Sequence, residues 1–154
     1  PTSMQRPTDF HRVTVMFVSS AGLRSTSLTF STFANNQVAV PAILGTPAMT
    51  ILSGTYTRLQ LAFGAIPQTY NVGATLRYSS GTRTMSVSAS AAYLAGSSTL
   101  AMPDLSAVAG WDDRYAIFPG SSGSWSWTLD GTNGVSGVCT EGQIGYRGTR
   151  NGVF

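Results

Sequence analysis

Alternating apolar and polar positions run through most of the chain, and an alternation of period two places successive side chains on opposite faces of a strand. From Thr69 to Ser79, Tyr70, Val72, Ala74, Leu76 and Tyr78 share one face, while Asn71, Gly73, Thr75, Arg77 and Ser79 share the other. After Ser79-Ser80-Gly81 the pattern resumes from Thr82 to Leu94, with Met85, Val87, Ala89, Ala91 and Tyr93 opposite Thr84, Ser86, Ser88 and Ser90. The pair predicts an antiparallel hairpin closed by a short glycine-containing turn. Val13, Val15 and Phe17 alternate with Thr14, Met16 and Val18, which predicts a strand apolar on both faces and placed inside the sandwich or under a neighbour.

Further strands are expected at Ser25 to Phe33, at Gln37 to Leu44 with Pro41 limiting it to an edge, and at Thr55 to Phe63, where Leu59, Leu61 and Phe63 face inward. Asn35-Asn36 offers a tight turn with positive backbone torsions. Arg114 to Phe118, Ser124 to Leu129 and Val135 to Thr140 read as strands too, with Asp130-Gly131-Thr132-Asn133-Gly134 as a hairpin turn. Between them, Pro103 to Ala109 has a proline and an acid near a helix start and Gly110 past its end, which predicts one or two helical turns. Some eight short strands at this spacing predict an all-β fold, an antiparallel β-sandwich of jelly-roll type. Residues 1–10 are expected as an extended arm, 11–147 as one sandwich domain and 148–154 as a tail.

Composition sharpens this picture. Gly, Ser and Thr supply 56 of 154 residues and charged residues only 10%, a strand-type rather than a helical make-up. All nine basic residues are arginine, so chemistry that needs a lysine amine is excluded, including a phosphate-loop NTPase and a Schiff-base enzyme. One histidine and one cysteine do not furnish a closed zinc site or an internal disulfide. The formal charge of +3 comes from arginines scattered between Arg6 and Arg150, with no basic tract. No apolar run approaches the roughly 20 residues needed to span a bilayer, so membrane insertion is not expected. The polar opening, Pro1 to Asp9, shows no charged-then-apolar leader and suggests synthesis in a cytoplasm.

Candidate chemistry is sparse. Asp9 and His11 have the spacing of two triad members, but Gly120-Ser121-Ser122-Gly123-Ser124 lacks the closing glycine of a nucleophile elbow, and no enzyme is expected. Asp112 and Asp113, after Trp111, are the candidate oxygen ligands for a metal, with no cofactor otherwise implied. Trp125 and Trp127 share one strand face with Leu129 and are expected in the core, and Cys139 is expected as a small buried hydrophobe. Trp111, Tyr56 and Tyr70, with Tyr78, are the residues on which a carbohydrate-binding or adhesive module would stack a glycan receptor.

The stretch Tyr56-Thr57-Arg58-Leu59-Gln60-Leu61-Ala62-Phe63, followed by Ile66-Pro67, Thr69 and Gly73, resembles the middle of jelly-roll coat proteins of small icosahedral plant-type viruses. The downstream order is similar as well, with a short helical link near Pro103 to Ala109 and a tryptophan-bearing strand at Trp125-Ser126-Trp127. The resemblance implies a capsid subunit whose partners are copies of itself and enclosed nucleic acid, located in a virion made in a host cytoplasm. The other structural expectation is a subunit of a secreted, extracellular filament or surface layer, which an upstream signal peptide would select.

Overall fold

The structure is a computed structural model that describes residues 6, 9–32, 35–135 and 138–154. It is nearly all β. Nine strands are found among the described residues: β1 (His11–Ser19), β2 (Gly22–Phe30), β3 (Ala48–Leu52), β4 (Arg58–Ala62), β5 (Gly73–Ser80), β6 (Arg83–Ser90), β7 (Thr99–Ala101), β8 (Ser124–Thr132) and β9 (Gln143–Val153). A single helical turn, α1 (Ala91–Leu94), follows β6, and a 3-10 turn occupies Asp113–Tyr115. The strands form a six-stranded sheet in the order β1-β2-β9-β8-β5-β6 and a three-stranded sheet β3-β4-β7, each neighbour antiparallel. The β-sandwich is as expected. The jelly-roll connectivity is not established by this order: β1–β2, β3–β4, β5–β6 and β8–β9 are consecutive strands paired inside one sheet, not strands that alternate between sheets.

The predicted hairpin is β5–β6. Ser80 lies opposite Arg83, so Gly81-Thr82 is the loop, and Gly81 takes the positive φ of +58° that the tight reversal needs. Register then fixes the core. Tyr78 lies opposite Trp125, Leu76 opposite Trp127 and Ala74 opposite Leu129, so one face of β5 and β8 presents six apolar side chains to β4. Leu59 and Leu61 of β4 join them in the core, where Leu59, Leu61, Leu76 and Leu129 are all fully buried, and Phe63 stacks on Trp127 with ring centroids 5.2 Å apart. The Tyr78 hydroxyl donates to the Thr57 carbonyl at 3.1 Å inside this core. Burial pushes its pKa up to about 12, because a phenolate there would lose its hydration.

The other half of the large sheet is covered differently. Residues 37–44, expected as a strand, form no ladder. Their carbonyls accept from side chains on the inner face instead: Thr26 Oγ1 donates to Ala39 at 2.8 Å, Arg24 to Pro41 at 3.3 Å, Tyr70 to Ala42 at 3.3 Å and Arg150 Nε to Leu44 at 2.6 Å. Four inward polar groups thereby gain acceptors in a segment that Pro41 bars from regular pairing. Asn35 and Asn36 lie in irregular chain, and no non-glycine residue among those described has positive φ, so the expected turn is absent there.

Other expectations fail for local reasons. Pro103 to Ala109 forms turns rather than a helix: Tyr56 donates to the Pro103 carbonyl and accepts from the Leu105 N–H, and Asp104 ties back to Ser106. The helical turn falls at α1, read from sequence as the end of a strand. Ser90 caps it by accepting from the Tyr93 N–H, and the Ala91 N–H turns away to the Val72 carbonyl. Arg114 to Phe118 is held off the sheet because Thr57 takes the Ile117 carbonyl through its N–H and the Phe118 carbonyl through its hydroxyl, both at 2.7 Å. Asp130 to Thr132 continues β8, and Gly131 is required there, since a Cβ would sit 1.8 Å from the Thr69 carbonyl oxygen. Val135 and Val138 to Thr140 are not strand, and the rest of that expected strand, with Phe33 and most of the expected arm, lies outside the described residues. Cys139 is exposed, not buried. Residues 148–153, read as a tail, are the second half of β9, which runs between β2 and β8 in the middle of the sheet.

Candidate functional site

The stretch Tyr56-Thr57-Arg58 at the start of β4 anchors the long crossover between β7 and β8, and this positions the acidic and aromatic candidates. Tyr56 is 1% exposed, with its hydroxyl shared between Pro103 and Leu105 and its ring 5.2 Å from that of Trp111. Arg58 reaches Asp104 at 3.4 Å. Trp111 is half-buried against Tyr56, and its indole N–H donates to Asp113 Oδ1 at 2.7 Å. Asp112 is grasped by Arg114: Nε donates to Oδ2 at 2.8 Å, Nη2 to the same oxygen at 2.6 Å, and the Arg114 N–H to Oδ1 at 2.9 Å. The Arg114 side chain, then its N–H, holds the Asp112 carboxyl below the usual carboxylate range.

These contacts assign both carboxylates structural work. Asp112 caps the 3-10 turn and pairs with Arg114, and Asp113 orients Trp111. Among the described residues, no group of three or more His, Cys, Asp or Glu side chains converges. Tyr70 is 3% exposed under Gly148, and Tyr78 is fully buried, so with Tyr56 they offer no ring face to a glycan. Only Trp111 of the stacking candidates keeps part of its surface. Asp9 bonds back to Arg6, and the ring of His11 lies 5.7 Å from that of Phe30.

Two extended surfaces carry more information than any of these residues. The outer face of the six-stranded sheet is hydroxyl-rich, with cross-strand pairs Thr75–Ser88 at 2.9 Å, Ser79–Thr84 at 3.1 Å and Thr128–Thr149 at 3.1 Å. Arg147 on that face pairs with Asp130 at 2.7 Å. The second surface is β1, at the end of the sheet. It is not inside the sandwich: Val13, Val15, Met16, Phe17 and Val18 are all exposed, Val18 by 74%, because the buried core draws its side chains from the other half of the molecule. Sequence patterning detected the two-sided apolar character of this strand, and of its two expected placements the one inside the sandwich is excluded.

No family model, no curated protein and no solved structure matches the chain. Among the described residues, no helix is long and apolar enough to cross a membrane.

Proposed function

We propose that this chain is a structural subunit that assembles with copies of itself, as a coat or capsid protein of a closed shell. The observation that carries this reading is β1, a sheet edge with five large apolar side chains 41–74% exposed. Proteins that work alone blunt such edges with charges, prolines, bulges or a covering segment, because an open apolar strand invites another chain. In this reading a second copy is the cover, the hydroxyl-rich face and the loops are the remaining contact surfaces, and the chain performs no catalytic step. The resemblance to viral coat proteins supplies the further expectation of enclosed nucleic acid and location in a virion.

The test is the mass of the purified chain by light scattering, with negative-stain images and nuclease protection on the same fraction. Closed particles with protected nucleic acid are the expected result. Open fibres would move the case to an extracellular filament. A 16.2 kDa monomer under every salt and pH condition would overturn both, and a glycan array with Trp111→Ala as its control would then be decisive for the carbohydrate reading.

A further inference from the structure

Among the described residues, β1 is hydrogen-bonded to β2 on one side only, and its other side ends the six-stranded sheet. Its odd-numbered residues lie on the inner face, where Val13 faces Leu28 and Val15 faces Thr26, and its even-numbered residues lie on the outer face. Val13, Val15 and Phe17 of the inner row are 52%, 41% and 47% exposed, and Met16 and Val18 of the outer row 56% and 74%. The strand contains no proline and no acid, Arg12 being its one formally charged residue. At the opposite end of the sheet, β6 exposes Thr84, Ser86, Ser88 and Ser90.

We infer that β1 is a self-pairing edge: two copies join through it antiparallel, about a two-fold axis at Val15, and merge their large sheets into one of twelve strands. This rests on the self-assembly reading and specifies its first contact. With that centre all nine residues of β1 find a partner, whereas any shift of the axis leaves an end unpaired. Val15 faces Val15, Val13 of each copy faces Phe17 of the other, Thr14 faces Met16 and His11 faces Ser19. The single cation, Arg12, faces Val18 and covers it with its aliphatic stem, so no like charges oppose one another. The pairing covers the backbone edge and the facing sides of both rows, the part of an open apolar strand that invites another chain. Pairing β1 with β6 of a second copy would instead set Met16 and Val18 of the outer row against serines, and would run on as an open chain of subunits.

The experiment uses the full chain in a Cys139→Ser background, since Cys139 is exposed. Facing residues of an antiparallel pair have Cα atoms about 4.5–5.5 Å apart, a span that a disulfide bridges. Mild oxidation is expected to convert most of Val15→Cys into a covalent dimer and to leave Thr14→Cys and Met16→Cys largely uncrosslinked, because neither faces itself. Val15→Arg, which sets two guanidinium groups on the axis, is expected to weaken the dimer at least tenfold by sedimentation equilibrium, with circular dichroism checking the fold. Crosslinking of Val15→Cys no better than that of Thr14→Cys would overturn the pairing, as would a Val15→Arg dimer of unchanged strength. Particles that still form with Val15→Arg would overturn the pairing while leaving the shell reading intact. Crosslinked Val15→Cys dimers from a chain that never builds particles would support the pairing and sink the shell.

Discussion

The six-stranded sheet has two halves that solve the same problem by different means. On the side of β5, β6 and β8, the inner face is closed by a second sheet, and the contact is dry and aromatic. On the side of β2 and β9, the cover is an irregular segment held by Thr26, Arg24, Tyr70 and Arg150 through its own carbonyls. Beyond them, among the described residues, the apolar side chains of β1 from Val13 to Val18 stay exposed. Buried core is thus concentrated at one end of the sheet and exposed apolar surface at the other. The lesson is that a strand can be apolar without serving its own core.

Mutation should separate these halves by size of effect. Leu59→Ala or Trp127→Ala, in the dry half, is expected to cost about 3–5 kcal/mol in denaturant unfolding, the range for large cavities in cores that collapse poorly. Gly152→Ala, where the added methyl would lie 2.5 Å from the Trp125 indole, is expected to cost about 1–3 kcal/mol by overpacking. In the half covered by the irregular segment, Thr26→Val removes one hydroxyl from the Ala39 carbonyl and is expected to cost about 1 kcal/mol. Val15→Thr, on the open edge, is expected to change the stability of the dilute monomer by less than about 0.5 kcal/mol. An equal cost for Val15→Thr and Leu59→Ala would erase the distinction between the halves.

The dry half also has a pH signature. The folded pKa of Tyr78 is raised from 10.0 to about 12 by burial, so the folded chain keeps this proton where the unfolded chain has lost it. Its contribution is fully present below about pH 10 and is lost as pH rises through about 12. Unfolding midpoints should fall across that window, and Tyr78→Phe should flatten the fall. On the other side Glu141, drawn below its ordinary range chiefly by the Ser31 hydroxyl, contributes above that range and stops as pH falls through its folded value. Ser31→Ala should reduce that small acid-limb dependence, leaving the part that the Ser31 and Thr32 N–H groups supply.

What was legible in the sequence follows the same division. The β5–β6 hairpin and the inward Trp125 and Trp127 were readable because a period of two and a glycine turn are local facts. Residues 37–44 were not, since the groups that satisfy them sit at Thr26, Tyr70 and Arg150, as far as 106 positions away along the chain. Tyr56 and Tyr70 have the same spacing whether they face a sugar or a core, and their burial depends on distant residues, on Leu105 for one and Gly148 for the other. β1 was half legible. Its apolar rows were visible, but a row of valines has the same pattern whether or not a sheet of its own chain covers it. That the Arg114 fork engages Asp112 and the Trp111 indole engages Asp113 is a matter of rotamer, which composition does not encode.

The position of β9 has a consequence in time. It lies between β2 and β8, so Gly22 waits for Arg150 and the large sheet has a gap until residues 143–153 have been made. Until then the β1–β2 hairpin lacks the strand that pairs with β2 in the finished sheet. During synthesis on a ribosome, that hairpin is the segment a chaperone would meet first, and closure of the sheet is a late, long-range step of the kind that makes folding slow.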